Sequence, residues 1–227
     1  MGEATRNLAA ELARLLGART GHLLGISVAD AREAIGRLVG TPFVEPLGGC
    51  PVTCQDLRAL GVAARQEGRP LLVDATMCGP DGCAVVRLGA HVALMGLADG
   101  CCLVALSRDS ARGVPGLSDL LAALPHSEEA DEGRLRPLVD EGKARWRGSS
   151  DAAQVVASYL RCHPRVTEVR YPGLKGDPSF ATAARTLEHG FGPLVDVRLR
   201  DGGGWERVVC VPGDPREQVI ELERRLV

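Results

Sequence analysis

Lysine is nearly missing from this chain of 227 residues: of its 27 basic side chains only Lys143 and Lys175 are lysines, and the rest are arginines. Chemistry that needs a side-chain primary amine therefore has two candidates. No window approaches eighteen uninterrupted apolar residues, which excludes an ordinary membrane-spanning helix. The beginning, Met1-Gly2-Glu3-Ala4-Thr5-Arg6, lacks the basic-then-apolar order of a secretory signal, so a cytoplasmic protein is expected. Positive charge is not in excess either. A net charge of −2 gives no electrostatic footprint for nucleic acid or an anionic membrane. What is present, 45% apolar and 25% charged residues, describes one globular body or two small ones and excludes disorder and fibre.

Eight cysteines are present, and without an export signal they are expected to be free thiols. Their spacings are Cys50-x3-Cys54, Cys78-x4-Cys83, adjacent Cys101 and Cys102, then single Cys162 and Cys210. None matches the paired C-x2-C knuckles of a structural zinc site, so no metal is expected.

The first part of the chain alternates helical and strand-like segments. Asn7 to Leu16 carries a helical stripe, Gly21 to Ile26 is a strand candidate, and Ser27 suits the N-cap of a helix over Ala29 to Val39. Pro42 to Pro46 reads as a short strand, Gln55 to Glu67 as a helix, and Arg69 to Asp74 as an apolar strand ending in a carboxylate. His91 to Met95 and Cys102 to Leu106 are two more apolar runs. Continuously apolar strands separated by helices predict an α/β class with a mostly parallel sheet and flanking helices. Leu117 to Leu124 and Asp151 to Arg161 are helical, and the charged stretch from Glu128 to Arg147 is expected to be a solvated helical connector. The last part offers strands at Val166 to Tyr171, Leu194 to Leu199 and Arg207 to Val211, and helices at Ser179 to His189 and Asp214 to Leu226. The expected division is 1–125 as a large α/β domain, 126–162 as connector and 163–227 as a small α+β domain.

Three groups of residues resemble one family. They are His163-Pro164-Arg165-Val166 with Tyr171-Pro172-Gly173-Leu174 and Gly190-Phe191-Gly192; Phe43-Val44-Glu45-Pro46 followed by Asp56, Leu57, Leu60 and Ala63; and Val73-Asp74-Ala75-Thr76 with Pro80. In this order they resemble the pyridoxal-phosphate-dependent enzymes of cysteine and methionine metabolism, of the cystathionine gamma-synthase and beta- and gamma-lyase type. The resemblance implies a fold-type I transferase-like architecture, shortened at its front because Leu8 already corresponds to a segment inside the large domain. It also implies that the family's glycine-containing phosphate turn has no counterpart here. Pyridoxal phosphate is implied by this resemblance only, with Asp74 facing the pyridine nitrogen.

The same resemblance sets Asp99 where the Schiff-base lysine belongs. A carboxylate cannot condense with an aldehyde, so no catalytic residue is assigned. Asp74, Thr76, Gly96 and Ala98 would line a vestigial cofactor pocket, Gly96 and Ala98 standing where hydroxyl residues would contact the phosphate. Arg207 aligns with an arginine that would hold a substrate carboxylate. Lys143 and Lys175 are expected to be solvated. The expected function is therefore that of a degenerate homologue without imine-forming catalysis, acting as a structural, regulatory or assembly subunit. One alternative is a subunit of a split carbon-sulfur lyase or synthase completed by a partner chain. The other is a thiol and histidine metal- or ligand-binding module built on Cys78, Cys83, Cys101 and Cys102 with His91 or His22. A homodimer, or a hetero-oligomer with a related chain, is expected.

Overall fold

The computed structural model describes residues 3–97, 100–127 and 132–226. In chain order the elements are α1 (Glu3–Leu15), β1 (Thr20–Leu24), α2 (Val28–Val39), β2 (Leu47–Gly48), β3 (Thr53–Cys54), α3 (Leu57–Gln66), β4 (Leu72–Asp74), α4 (Gly79–Gly82), β5 (Val92–Gly96) and β6 (Cys102–Leu106). They continue with α5 (Ser110–Gly113), α6 (Leu117–Ala123), α7 (Glu132–Asp140), α8 (Gly142–Cys162), β7 (Val166–Arg170), α9 (Phe180–Thr186), β8 (Leu194–Leu199), β9 (Glu206–Val209) and α10 (Pro215–Leu226). Two compact units form: the first from Met1–Pro46 and Asp56–Gly142, the second from Leu47–Gln55 and Lys143–Val227.

The first unit is built on a four-stranded sheet of order β1-β6-β5-β4. β4 and β5 are parallel, whereas β6 is antiparallel to both β5 and β1. β1, β4 and β5 therefore run one way and β6 the other, so the sheet is mixed although most of its strands share a direction. Helices cover both faces, as continuously apolar strands require. On one face Leu24, Leu72, Val92, Leu94, Cys102 and Val104 pack with Ala31 and Ile35 of α2 and Leu117 and Leu121 of α6. On the other, α1 lies so close to β1 that a Cβ at Gly21 would stand 2.8 Å from the Ala13 methyl.

The caps that bound α2 are those its sequence offers. The Ser27 side chain accepts a hydrogen bond from the Asp30 amide, and Gly40, at φ 69°, closes the helix in the left-handed conformation. The expected strand over Pro42 to Pro46 is reduced to a single parallel bridge between Val44 and Val73. Prolines at both ends lack the N–H that a longer ladder would use.

The second unit carries an antiparallel sheet of order β7-β8-β9. Val166, Val195 and Val197 of that sheet pack with Ala153, Val156, Ala157 and Leu160 of α8 and Leu222 of α10. Among the described residues of the charged stretch only Leu135 and Trp146 are buried, and its later part begins α8. That helix buries Trp146, Ser149, Ser150 and five further residues, because its apolar side faces this core. The short β2–β3 ladder belongs to the same unit. Among the described residues no helix is long and apolar enough to cross a membrane.

Candidate functional site

Leu24 of β1 and Gly96 of β5 both lie level with Cys102, and Asp74 pairs with Leu94 two residues before Gly96. The carboxyl ends of three co-directed strands thus share one edge of the first unit, the edge at which open α/β sheets bind ligands. The turn Gly25-Ile26-Ser27 leaves that edge and the first turn of α2 closes over it. A cavity of about 240 Å³ lies there, lined by Val28, Glu45, Asp74, Thr76 and Met77.

Asp74 is nearly buried, its side chain 6% exposed, and both of its oxygens are engaged. Oδ1 accepts from the Thr76 amide at 2.9 Å, and Oδ2 lies 3.2 Å from Arg32 Nη1. The same Nη1 donates to Glu45 Oε1 at 3.1 Å, and the Arg32 guanidinium carbon lies 6.0 Å from the centre of the Phe43 ring. The Thr76 hydroxyl accepts from the Gly96 amide at 2.9 Å.

Position 96 has no room for a side chain. A Cβ there would stand 2.8 Å from Val28 Cγ2 and 2.9 Å from Thr76 Cγ2. At the start of α2 the Asp30 amide is taken by Ser27, whose hydroxyl also donates to the Asp30 carboxylate at 2.7 Å. An acidic first turn, already capped, repels a further anion.

Of the residues expected to line the pocket, Asp74 and Thr76 border the cavity and Gly96 sits against Val28 and Thr76. Ala98 and Asp99 lie outside the described residues. Arg207 belongs to the second unit, where Nε and Nη2 bond Asp196 Oδ1 and Oδ2 at 2.8 and 2.7 Å and Nη2 also donates to Gly49 O. Asp196 is fully buried and accepts from the Val52 amide as well. The Arg207 fork is thus engaged by a carboxylate of its own unit. Lys143 and Lys175 are both exposed and both fall in the second unit, so the unit that holds Asp74 contains no lysine.

Arg32, Glu45 and Asp196 were not singled out as site residues from the sequence. Glu45 had a signal, since it sits in the Phe43-Val44-Glu45-Pro46 motif. Arg32 had none, being one of two arginines on an amphipathic helix.

No disulfide joins the cysteines among the described residues. Cys102 is buried on β6, and burial pushes its thiol up to about 12, with Cys101 and the Asp74 and Asp30 carboxylates adding to the effect. Burial likewise raises Cys210 to about 11. Such thiols stay protonated and are poor ligands. Among the described residues no three His, Cys, Asp or Glu side chains converge as a metal site.

The tyrosine-proline-glycine-leucine motif forms a corner of the second unit. Tyr171 is fully buried and donates to the Ser150 carbonyl at 3.0 Å. Asp177 gathers Arg170 Nε and the amides of Tyr171 and Ser179 at 2.9, 3.1 and 2.7 Å.

Pyridoxal phosphate, implied by the resemblance, does not fit the residues present. Its protonated ring nitrogen would meet an Asp74 charge that Arg32 already neutralises, and its phosphate would meet an acidic, capped helix start and a position 96 with no space for a hydroxyl. The cavity is also below the roughly 300–1,000 Å³ of small-molecule sites.

Comparison with known proteins gives the same kinship as the motifs. Residues 143–209 match the model of the Cys/Met metabolism PLP-dependent enzymes. The chain is 32% identical over 179 residues to the cystathionine gamma-synthase of Mycobacterium tuberculosis (strain ATCC 25618 / H37Rv), covering 68% of this chain and 42% of that protein. It is 28% identical over 194 residues to the L-methionine gamma-lyase of Pseudomonas deceptionensis, covering 80% and 47%. It thus spans less than half the length of these relatives. Among solved structures, a methionine gamma lyase from Micromonospora echinospora superposes with a TM-score of 0.80 at 18% identity, covering 100% of this chain and 87% of that one. A cystathionine gamma synthase from Xanthomonas oryzae pv. oryzae does so with 0.73 at 23% identity, covering 89% and 67%. The fold is that of the fold-type I lyases and synthases.

Proposed function

Given its likeness to the Cys/Met metabolism PLP-dependent enzymes, we propose that this chain is a degenerate member of that family. It carries no imine-forming pyridoxal-phosphate chemistry and serves as a structural, regulatory or assembly subunit. The observation that carries this reading is the Asp74–Arg32 pair in a unit without lysine. An imine needs a primary amine, and no other side chain can replace it. Arg32 is no substitute, since a guanidinium stays protonated at any physiological pH.

The proposal includes self-association or pairing with a related chain. β9 is an edge strand on which Val209 is 57% exposed, and Val211 beside it is 55% exposed. An uncovered apolar edge of this kind favours a partner.

Incubation of the purified chain with pyridoxal phosphate, then borohydride reduction and intact-mass measurement, tests the chemistry. No stoichiometric mass addition is expected. A single reduced adduct per chain, mapped to one lysine, would overturn the proposal.

A further inference from the structure

We infer that helix α2 is the resident occupant of the cleft at the ends of β4 and β5, with the Arg32 guanidinium as the standing counter-ion of Asp74. This rests on the reading that the chain has no imine chemistry, and it deepens that reading by saying what fills the place of a ligand.

A carboxylate as buried as Asp74 requires a positive partner or a set of donors. The Thr76 amide supplies one donor, and Arg32 supplies the charge. Val28 and Arg32 are four residues apart, so they share one face of α2. Both point to the same strand ends: Arg32 to Asp74, and Val28 to within 2.8 Å of where a Cβ at Gly96 would be. Arg32 is fixed from other sides by Glu45 and by the Phe43 ring. The start of the helix is closed by the reciprocal Ser27 and Asp30 bonds. These contacts involve four different residues of the Ser27 to Arg32 segment. Together they narrow the cleft from within to the small cavity beside Asp74, so a ligand carrying a ring nitrogen and a phosphate would meet a carboxylate already neutralised by Arg32 and would have to lift Val28 to reach position 96.

Thermal unfolding of the full chain tests this, using wild type, Arg32→Met, Asp74→Asn and the double variant, each with and without pyridoxal phosphate. The wild-type Tm is expected not to move with pyridoxal phosphate. Arg32→Met is expected to lower Tm by about 4 °C or more. Adding Asp74→Asn should recover most of that loss, because a neutral amide needs no counter-ion. If Arg32→Met does not fold, folding of the double variant supports the inference and failure of both overturns it. An Arg32→Met Tm equal to wild type, or a double variant no better than the single, also overturns it. A wild-type Tm that rises with pyridoxal phosphate, without a borohydride-stable adduct, overturns this inference and leaves the proposed function standing. A borohydride-stable adduct overturns the proposed function itself.

Discussion

Histidines supply the clearest pH response at the scale of single residues. The Leu71 amide donates to His91 Nδ1 at 3.1 Å, a bond that needs that nitrogen unprotonated. Burial pulls the His91 pKa down, opposed by Asp109 and helped by Arg65, and burial together with His126 pulls His22 down. With the folded value below the unfolded one, the unfolded chain binds more protons in the window between them. Stability from these two residues is thus complete above the ordinary histidine value of about 6.5 and is lost as pH falls below it. The urea midpoint is expected to drop between about pH 7.5 and about pH 5.5. His22→Gln combined with His91→Gln should flatten that drop, and an unchanged slope would contradict the assignment. Arg207 gives a second test, because removing it strands the buried Asp196 carboxylate. Arg207→Met is expected to cost about 3 kcal/mol in urea unfolding. At this scale the sequence found Asp74, since a carboxylate ending an apolar strand stands out. It missed Arg32 and Asp196, whose partners lie on other elements and leave no local pattern.

Among the elements, the meeting of α2 with β5 is the most constrained. Gly96→Ser would drive its side chain into Val28 and Thr76, and overpacking of this kind costs about 1–3 kcal/mol. Denaturant melts should show that loss, and a variant as stable as wild type would mean that the helix start yields freely. Most elements were legible in the sequence. The expected cap Ser27 bonds the Asp30 amide, and α2 and α3 start within two residues of the expected places. One element was misjudged. The Pro42 to Pro46 strand had apolar content but too few amides for a ladder. Within the charged stretch Leu135 and Trp146 turn inward while the described arginines and acids stay exposed.

At the scale of the whole molecule, the chain passes between its two units at 46/47, 55/56 and 142/143. The short excursion over Leu47–Gln55 supplies the Val52 amide and the Gly49 carbonyl to the Asp196–Arg207 pair. Replacing Gly49 to Val52 by a serine-glycine linker should therefore reduce hydrogen-exchange protection on β8 and β9 of the second unit. Protection equal to wild type would show that the pair holds alone.

The sequence by itself determined most of the longer helices and strands, the α/β class and the family likeness. Periodicity, caps and short motifs are local, and they survive in a single chain read from end to end. It also determined that only two lysines are available. The tertiary structure alone decided where each charge goes. Arg32 neutralises Asp74 and Asp196 captures Arg207, because a buried carboxylate takes whichever cation the fold brings within reach, and sequence distance does not limit that choice.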